Sequence, residues 1–266
     1  MDNTEIKWLI ALLLVAAAAV AAWFFWDDTQ APPVAPAAVE QQAPVTEPAE
    51  PIHPLEPLDV APGEGELVEL PPLAESDSYF ALALIDVFGP GLETLLADES
   101  LIDKTVATAD NLTRDRIAEK IRPLGRLSGN FVVSAAGDNG PFYLSAENYD
   151  RYRPLVNMLT DADLDALVAT YRRFYPLFEE AYAQLGYPDA YFNDRVVAVI
   201  DHLLATPQPE QPIRLVQPHV LYEFADPALE ALSSGQKLLL RMGPEHAGRI
   251  REILTELRTR IAQPAR

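Results

Sequence analysis

From Trp8 to Trp26 the chain runs nineteen apolar residues without a single charge, and this run constrains everything else. At a rise of ~1.5 Å per residue such a helix is about 28 Å long, against a hydrocarbon core of roughly 30 Å. One membrane crossing is the natural reading. Trp8 at one end and Trp23 and Trp26 at the other fall where indole rings favour the headgroup interface, and the chain has no other Trp. A cleaved signal peptide is the competing reading, because Ala19-Val20-Ala21 offers an A-x-A pattern. Cleavage there would leave Trp23-Phe24-Phe25-Trp26 at a greasy mature terminus, so a retained anchor over residues 1–26 is expected, with the lipid bilayer as the partner of residues 8–26.

Small residues four apart, Ala17 with Ala21 and Ala18 with Ala22, would let two spans approach closely, so a homodimer through the Ala-rich span is a further expectation. Orientation follows the bias of Lys and Arg between the flanks. Lys7 precedes the span and no Lys or Arg follows until Lys104. The N-terminus is therefore expected in the cytoplasm and the rest of the chain in the periplasm of a bacterial inner membrane.

Residues 27–75 contain 11 Pro and 11 acidic residues among 49 and no Lys or Arg. Such a composition cannot build a core, and repeated Ala-Pro, Glu-Pro and Pro-Pro steps favour extended polyproline II. A disordered tether is expected, with a Pro-rich ligand for an aromatic-lined groove as the sharper alternative. Removing anchor and tether leaves residues 76–266, whose 27 acids and 19 bases make an ordinary acidic domain. The whole chain carries net charge −20, so nucleic acid is not expected as a partner. Absence of Cys excludes disulfides, thiol nucleophiles and thiolate metal sites.

Within 76–266 periodicity and punctuation predict five or six helices beside one small sheet, a mainly α fold. Ser76 is a plausible cap for Asp77 to Phe88, whose apolar residues leave almost no polar face and predict a buried helix. A weaker amphipathic stretch covers Glu99 to Ala109. Asp161 is expected to cap a long helix with the stripe Leu164, Leu167, Val168, Tyr171, Phe174, Phe178, Tyr182 and Leu185, kinked at Pro176. Tyr191 to Leu204 and Pro244 to Ala262 follow, the last with i,i+4 pairs Glu245 to Arg249 and Glu256 to Arg260. Phe131–Ser134 and Phe142–Leu144 read as a β-hairpin turning at Gly137-Asp138-Asn139-Gly140, and Pro212–Val216 and Val220–Phe224 alternate around Gln217-Pro218-His219, which together suggest one small sheet.

Asp110-Asn111-Leu112, Tyr149-Asp150-Arg151-Tyr152 with Pro154-Leu155-Val156, Tyr175-Pro176-Leu177-Phe178, Leu185-Gly186-Tyr187-Pro188 and Ser234 through Gly243 together mark a resemblance. The stretch from Leu70 to Ala262 resembles a bacterial membrane-anchored family, domain of unknown function 3014 (DUF3014). Its architecture is similar too: short N-terminus, one span, Pro-rich linker, helical domain. The resemblance implies no chemistry, since it brings no activity or site residues to transfer.

Candidate sites therefore rest on their own chemistry. Ser234-Gly235-Gln236-Lys237 has the Ser-x-x-Lys form that places a nucleophile one helical turn from an ammonium. No Ser-Asp-Asn or Lys-Thr-Gly accompanies it, and a Ser234 N-cap before a Leu-rich helix explains the same residues. Asp161-x-Asp163-x-Asp165 begins like a calcium loop, but Ala166 and Arg172 stand where Gly and a bidentate Glu belong. His202, His219 and His246 lack paired ligands at helical spacing, and no Gly-rich phosphate loop exists. No metal and no cofactor is expected. Between Tyr171 and Phe192 lie eight aromatics, most on the apolar stripe. Tyr175 and Tyr187 are the surplus that could line a partner groove. The expected role is a non-catalytic module binding a protein or envelope partner. The alternatives are an envelope hydrolase using Ser234 and Lys237, or a cytoplasmic scaffold if the orientation is reversed.

Overall fold

The computed structural model describes residues 50–55, 70–125, 127, 129–136 and 140–262. The predicted span, the tether at 27–49 and 56–69, and the hairpin turn at 137–139 lie outside the described residues. No helix among the described residues is long and apolar enough to cross a membrane.

Among the described residues, eight α-helices and a four-stranded sheet make up the domain: α1 (Asp77–Phe88), α2 (Leu101–Asn111), β1 (Val133–Ala135), β2 (Phe142–Leu144), α3 (Glu147–Asp161), α4 (Leu164–Gln184), α5 (Phe192–Leu204), β3 (Arg214–Val216), β4 (Glu223–Phe224), α6 (Pro227–Glu230), α7 (Ser234–Met242) and α8 (Pro244–Ile261). Helix α3 is absent from the sequence expectation. It carries Pro154 in its interior, is mostly polar and buries only Asn148 and Val156, so its sequence gives little sign of a helix.

The aromatic stripe of α4 forms the main core. Phe80 of α1 lies 5.1 Å from Phe174 and 5.5 Å from Phe178, Phe178 lies 5.7 Å from Phe192 of α5, and Leu101, Ile102 and Val106 of α2 close the cluster. The order of burial reverses the sequence expectation. Only Phe80 of α1 is buried, with Leu82 63% exposed, whereas the weakly amphipathic α2 is sunk in the core. A mean apolar composition says how greasy a helix is; its neighbours decide which side is covered. Helix α4 continues through Pro176 to Gln184.

The sheet has order β1-β2-β3-β4, antiparallel throughout, in the register Val133↔Leu144, Phe142↔Leu215 and Leu215↔Phe224. Leu144, Ile213, Leu215 and Phe224 pack against Leu229 and Leu240. Both hairpins form as one small sheet, because the alternation of these short runs puts one apolar face toward α6 and α7.

Local caps differ from expectation by one or two residues. Ser76 does not cap α1; its hydroxyl donates to the Leu73 carbonyl at 2.7 Å. Asp77 instead caps α2 from a distance, its carboxylate accepting from Ser100 N at 2.6 Å and Leu101 N at 2.7 Å. Asp161 ends α3, and Asp163 is the cap of α4, accepting from Asp165 N at 2.9 Å. On α8 the Glu256–Arg260 pair forms at 2.9 Å, but Arg249 turns from Glu245 to Asn157 Oδ1 at 2.8 Å and to Thr160 Oγ1. The packed unit also includes residues before Ser76: Leu73 is in the main core, and Leu55 packs among Val168, Ile200 and Ile261.

Candidate functional site

Helix α2 ends with unpaired carbonyls and α7 begins with unpaired N–H groups, as every helix does. The fold joins the two ends. Ser234 N donates to Arg114 O at 2.7 Å, and Gly235 N donates to Leu112 O at 3.0 Å. The Ser234 hydroxyl donates to Asn111 O at 3.3 Å. The negative end of one helix dipole thus faces the positive end of another. A Cβ at Gly235 would lie 2.9 Å from Leu112 O and 2.7 Å from Leu203 Cδ2, so this contact requires a residue without a side chain.

The cap of α7 is Ser233, not Ser234. Ser233 Oγ accepts from Gln236 N at 3.3 Å and Gln236 Oε1 accepts from Ser233 N at 3.4 Å, a reciprocal capping box whose serine is typically worth about 1 kcal/mol. His202 Nε2 lies 2.9 Å from the same Ser233 Oγ, and Gln236 Nε2 donates to His202 O at 3.2 Å. Lys237 points elsewhere: its Nζ donates to Glu230 Oε1 and to Glu230 O, both at 2.9 Å. Burial opposes ionisation of Glu230, but the Lys237 hydrogen bond and the Phe224 N–H, with the charges of Lys237 and Arg241, hold its carboxyl below the usual range. Ser234 and Lys237 share no hydrogen bond, so the hydroxyl is not poised against the ammonium as a nucleophile–base pair requires.

Tyr175 and Tyr187 are half-buried and both hydroxyls are engaged within the domain. Tyr175 donates to Glu179 Oε1, whose carboxylate also accepts from Phe192 N at 3.0 Å. Burial first, then the hydrogen bond and charge of Glu179, push the Tyr175 phenol far above its ordinary value. Tyr187 stacks on Tyr182 with ring centroids 4.7 Å apart, and its hydroxyl accepts from Arg114 Nη2 at 3.1 Å. Both rings are partly buried and pack against the main aromatic core.

Two buried polar residues form the joints that sequence reasoning missed. Asp110, on the covered face of α2, accepts from Arg195 Nε and from Arg114 Nη2, both at 2.8 Å. Arg195 Nη2 also donates to Asp110 O at 2.6 Å and Thr113 Oγ1 at 2.7 Å. Asn193, fully buried on α5, accepts from the Tyr171 hydroxyl at 3.2 Å and donates to Ile261 O at 3.0 Å and His53 O at 2.8 Å. A signal was present: Ile102, Val106 and Asp110, like Asn193 and Val197, are spaced four apart on one apolar stripe, where a polar residue must find partners inside.

The Asp161-x-Asp163-x-Asp165 pattern is split by the α3–α4 junction: Asp163 caps and Asp165 pairs with Arg260 at 2.5 Å. No group of three or more His, Asp or Glu residues gathers to hold a metal among the described residues. A cleft of about 440 Å³ between Leu96–Glu99 and Glu119–Gly125 is lined by charges of both signs, Asp98, Glu99, Glu119, Lys104, Lys120 and Arg122.

The fold and these joints define a mainly helical domain with a small antiparallel sheet, held by a helix-to-helix junction and two buried polar nodes. The chain belongs to the family described as "Protein of unknown function (DUF3014)", whose model matches residues 101–258, from the first residue of α2 into the last turn of α8. No curated protein and no solved structure matches it.

Proposed function

We propose that this chain is a single-pass protein of the bacterial inner membrane, N-terminus in the cytoplasm, that presents its helical domain in the periplasm as a non-catalytic binding or scaffolding module. The anchoring part rests on the uncharged run from Trp8 to Trp26 and on Lys7. The binding part rests on the tip of the β3–β4 hairpin, where Val220 is 86% and Leu221 75% exposed beside the exposed Val216. Gln217 Nε2 donates to Val220 O at 3.1 Å, which holds the tip in shape. Adjacent aliphatic side chains displayed on a braced turn cost solubility and are suited to a contact surface on a protein or envelope partner.

Topology is tested by fusion. Alkaline phosphatase joined after Ala262 should be active, and a green fluorescent reporter at the same site should be dark when exported by the general secretion route. The opposite pair of results ends the periplasmic assignment. For the binding surface, a photoreactive residue at Leu221 should give a discrete crosslinked adduct in intact cells that Val220→Asp abolishes. An adduct pattern identical to that from exposed Glu256 would reject the hairpin tip as the contact.

A further inference from the structure

The segment 50–55 meets the domain in an unusual way: it is held by its backbone. The carboxylate of Asp194 accepts from two successive amides, Ile52 N at 2.9 Å on one oxygen and His53 N at 2.7 Å on the other. Asn193 Nδ2 donates to the next carbonyl in line, His53 O, at 2.8 Å. Asn193 is fully buried and pinned by Tyr171 and Ile261 O, so its donor is aimed before the segment arrives. Of the two central side chains, Ile52 is 67% exposed, whereas His53 is partly buried with its ring Nδ1 enclosed, close enough to Asp201 for their charges to interact. Leu55 packs into an apolar cluster with Val168, Ile200, Leu257 and Ile261.

This is how a peptide-recognition groove reads a ligand: main-chain hydrogen bonds supply affinity and pockets for alternate side chains, here those of His53 and Leu55, supply selectivity. The occupant suits it. Pro51 and Pro54 flank the two donating amides, and a residue before proline is driven to extended backbone, which lowers the entropy lost on docking. Asn193 and Asp194 lie in the first turn of α5, but here the carboxylate and the carboxamide, rather than the helix end, do the binding.

We infer that Asn193, Asp194 and the Leu55 pocket form a binding site for an extended peptide of the pattern Pro-x-x-Pro-Leu, and that the chain's own residues 51–55 fill it in cis as an exchangeable strap. The inference rests on the binding-module reading and gives that module a ligand class. Three hydrogen bonds, one leucine and a partly buried histidine are a small contact beside the core, so the strap belongs to the elements that open well below global unfolding. While docked, it attaches the domain to the chain at residue 50 instead of residue 70. A peptide in trans must compete with an intramolecular copy whose effective concentration is on the order of millimolar.

The test uses the full chain in detergent micelles and a fluorescein-labelled synthetic peptide of the sequence of residues 50–55. Ile52→Pro with His53→Pro removes both amide donors and should free the groove. This variant should bind the peptide at least tenfold more tightly than the wild-type chain, and adding Asp194→Ala should remove that gain. Within the peptide, Ile52→Ala should be tolerated and Leu55→Ala should weaken binding about tenfold. Failure of the strap variant to bind, with a wild-type circular dichroism spectrum, overturns the site, as does binding that survives Asp194→Ala.

Because the chain has no Cys, a second measurement is simple. Spin labels at Ile52→Cys and Thr259→Cys should give a narrow distance distribution that Asp194→Ala broadens with helicity unchanged. An unchanged narrow distribution shows a fixed element of the fold and rejects the strap. Crosslinking from Leu221 does not involve this groove, so loss of peptide binding alone would remove the site and leave the module reading in place.

Discussion

Asp110→Ala should lower the unfolding free energy of the domain by about 3 kcal/mol, the lower end of the range for breaking a buried ion pair. The Asp110 side chain is only 4% exposed and receives two guanidinium groups, and without it Arg195 is left as a partly buried cation whose fork still addresses Asp110 O and Thr113. Water reaches Arg195 in part, which keeps the loss below the upper limit. Because Asp110 lies just before the Asn111, Leu112 and Arg114 carbonyls that receive α7, the α2–α7 junction should loosen with it. Urea denaturation followed by far-ultraviolet circular dichroism measures the cost. Asp110→Ala with Arg195→Met should be more stable than Asp110→Ala alone, since removing both charges spares the desolvation of one. A double variant that merely adds the two single losses would show that the pair carries no coupling.

Gly243→Ala should be at least as damaging, at about 3–5 kcal/mol, because two costs coincide there. Gly243 joins α7 to α8 with φ +85° and ψ 163°, a backbone region that is essentially glycine-only. A Cβ would also lie 2.7 Å from the Tyr149 ring, which packs beside the sheet and holds its hydroxyl 3.1 Å from Gln211 Oε1. Tyr149→Ala in the same chain should recover only the steric share. Gly248 supplies the control, since it sits inside α8 with open space where a Cβ would stand, so Gly248→Ala should stabilise by about 0.5–1 kcal/mol. Thermal melts of the three variants side by side would separate helix propensity from backbone strain. Equal behaviour of Gly243→Ala and Gly248→Ala would refute the strain argument.

Several elements are legible in the amino-acid sequence alone. The aromatic stripe of α4, the Val196–Val199–Ile200–Leu203 repeat of α5, Pro244 at the first turn of α8 and the alternation of both hairpins each depend on residues within a few positions of one another. The same local logic puts two caps nearly right, since Asp161 and Ser234 stand close to the true caps Asp163 and Ser233. It could not tell which neighbouring polar side chain would be recruited elsewhere. Asp77 caps a helix twenty-four residues away, and Ser234 reaches Asn111 O across 123 positions. Such partners are set by how helices stack, and that stacking leaves no period in the sequence.

The candidate site shows the same division more sharply. Composition and spacing determined that residues 234–237 form a turn of helix with Ser and Lys on it, since Ser, Gly and Gln at a helix start are a matter of local capping. Only the tertiary structure decided that Lys237 is taken by Glu230, that Gly235 is needed for backbone-to-backbone approach to Leu112, and that Asp110 and Asn193 are the buried nodes. A catalytic motif and a helix junction can share one string of residues. What separates them is the direction of two side chains, fixed by desolvation and hydrogen-bond pairing with residues far away in the chain.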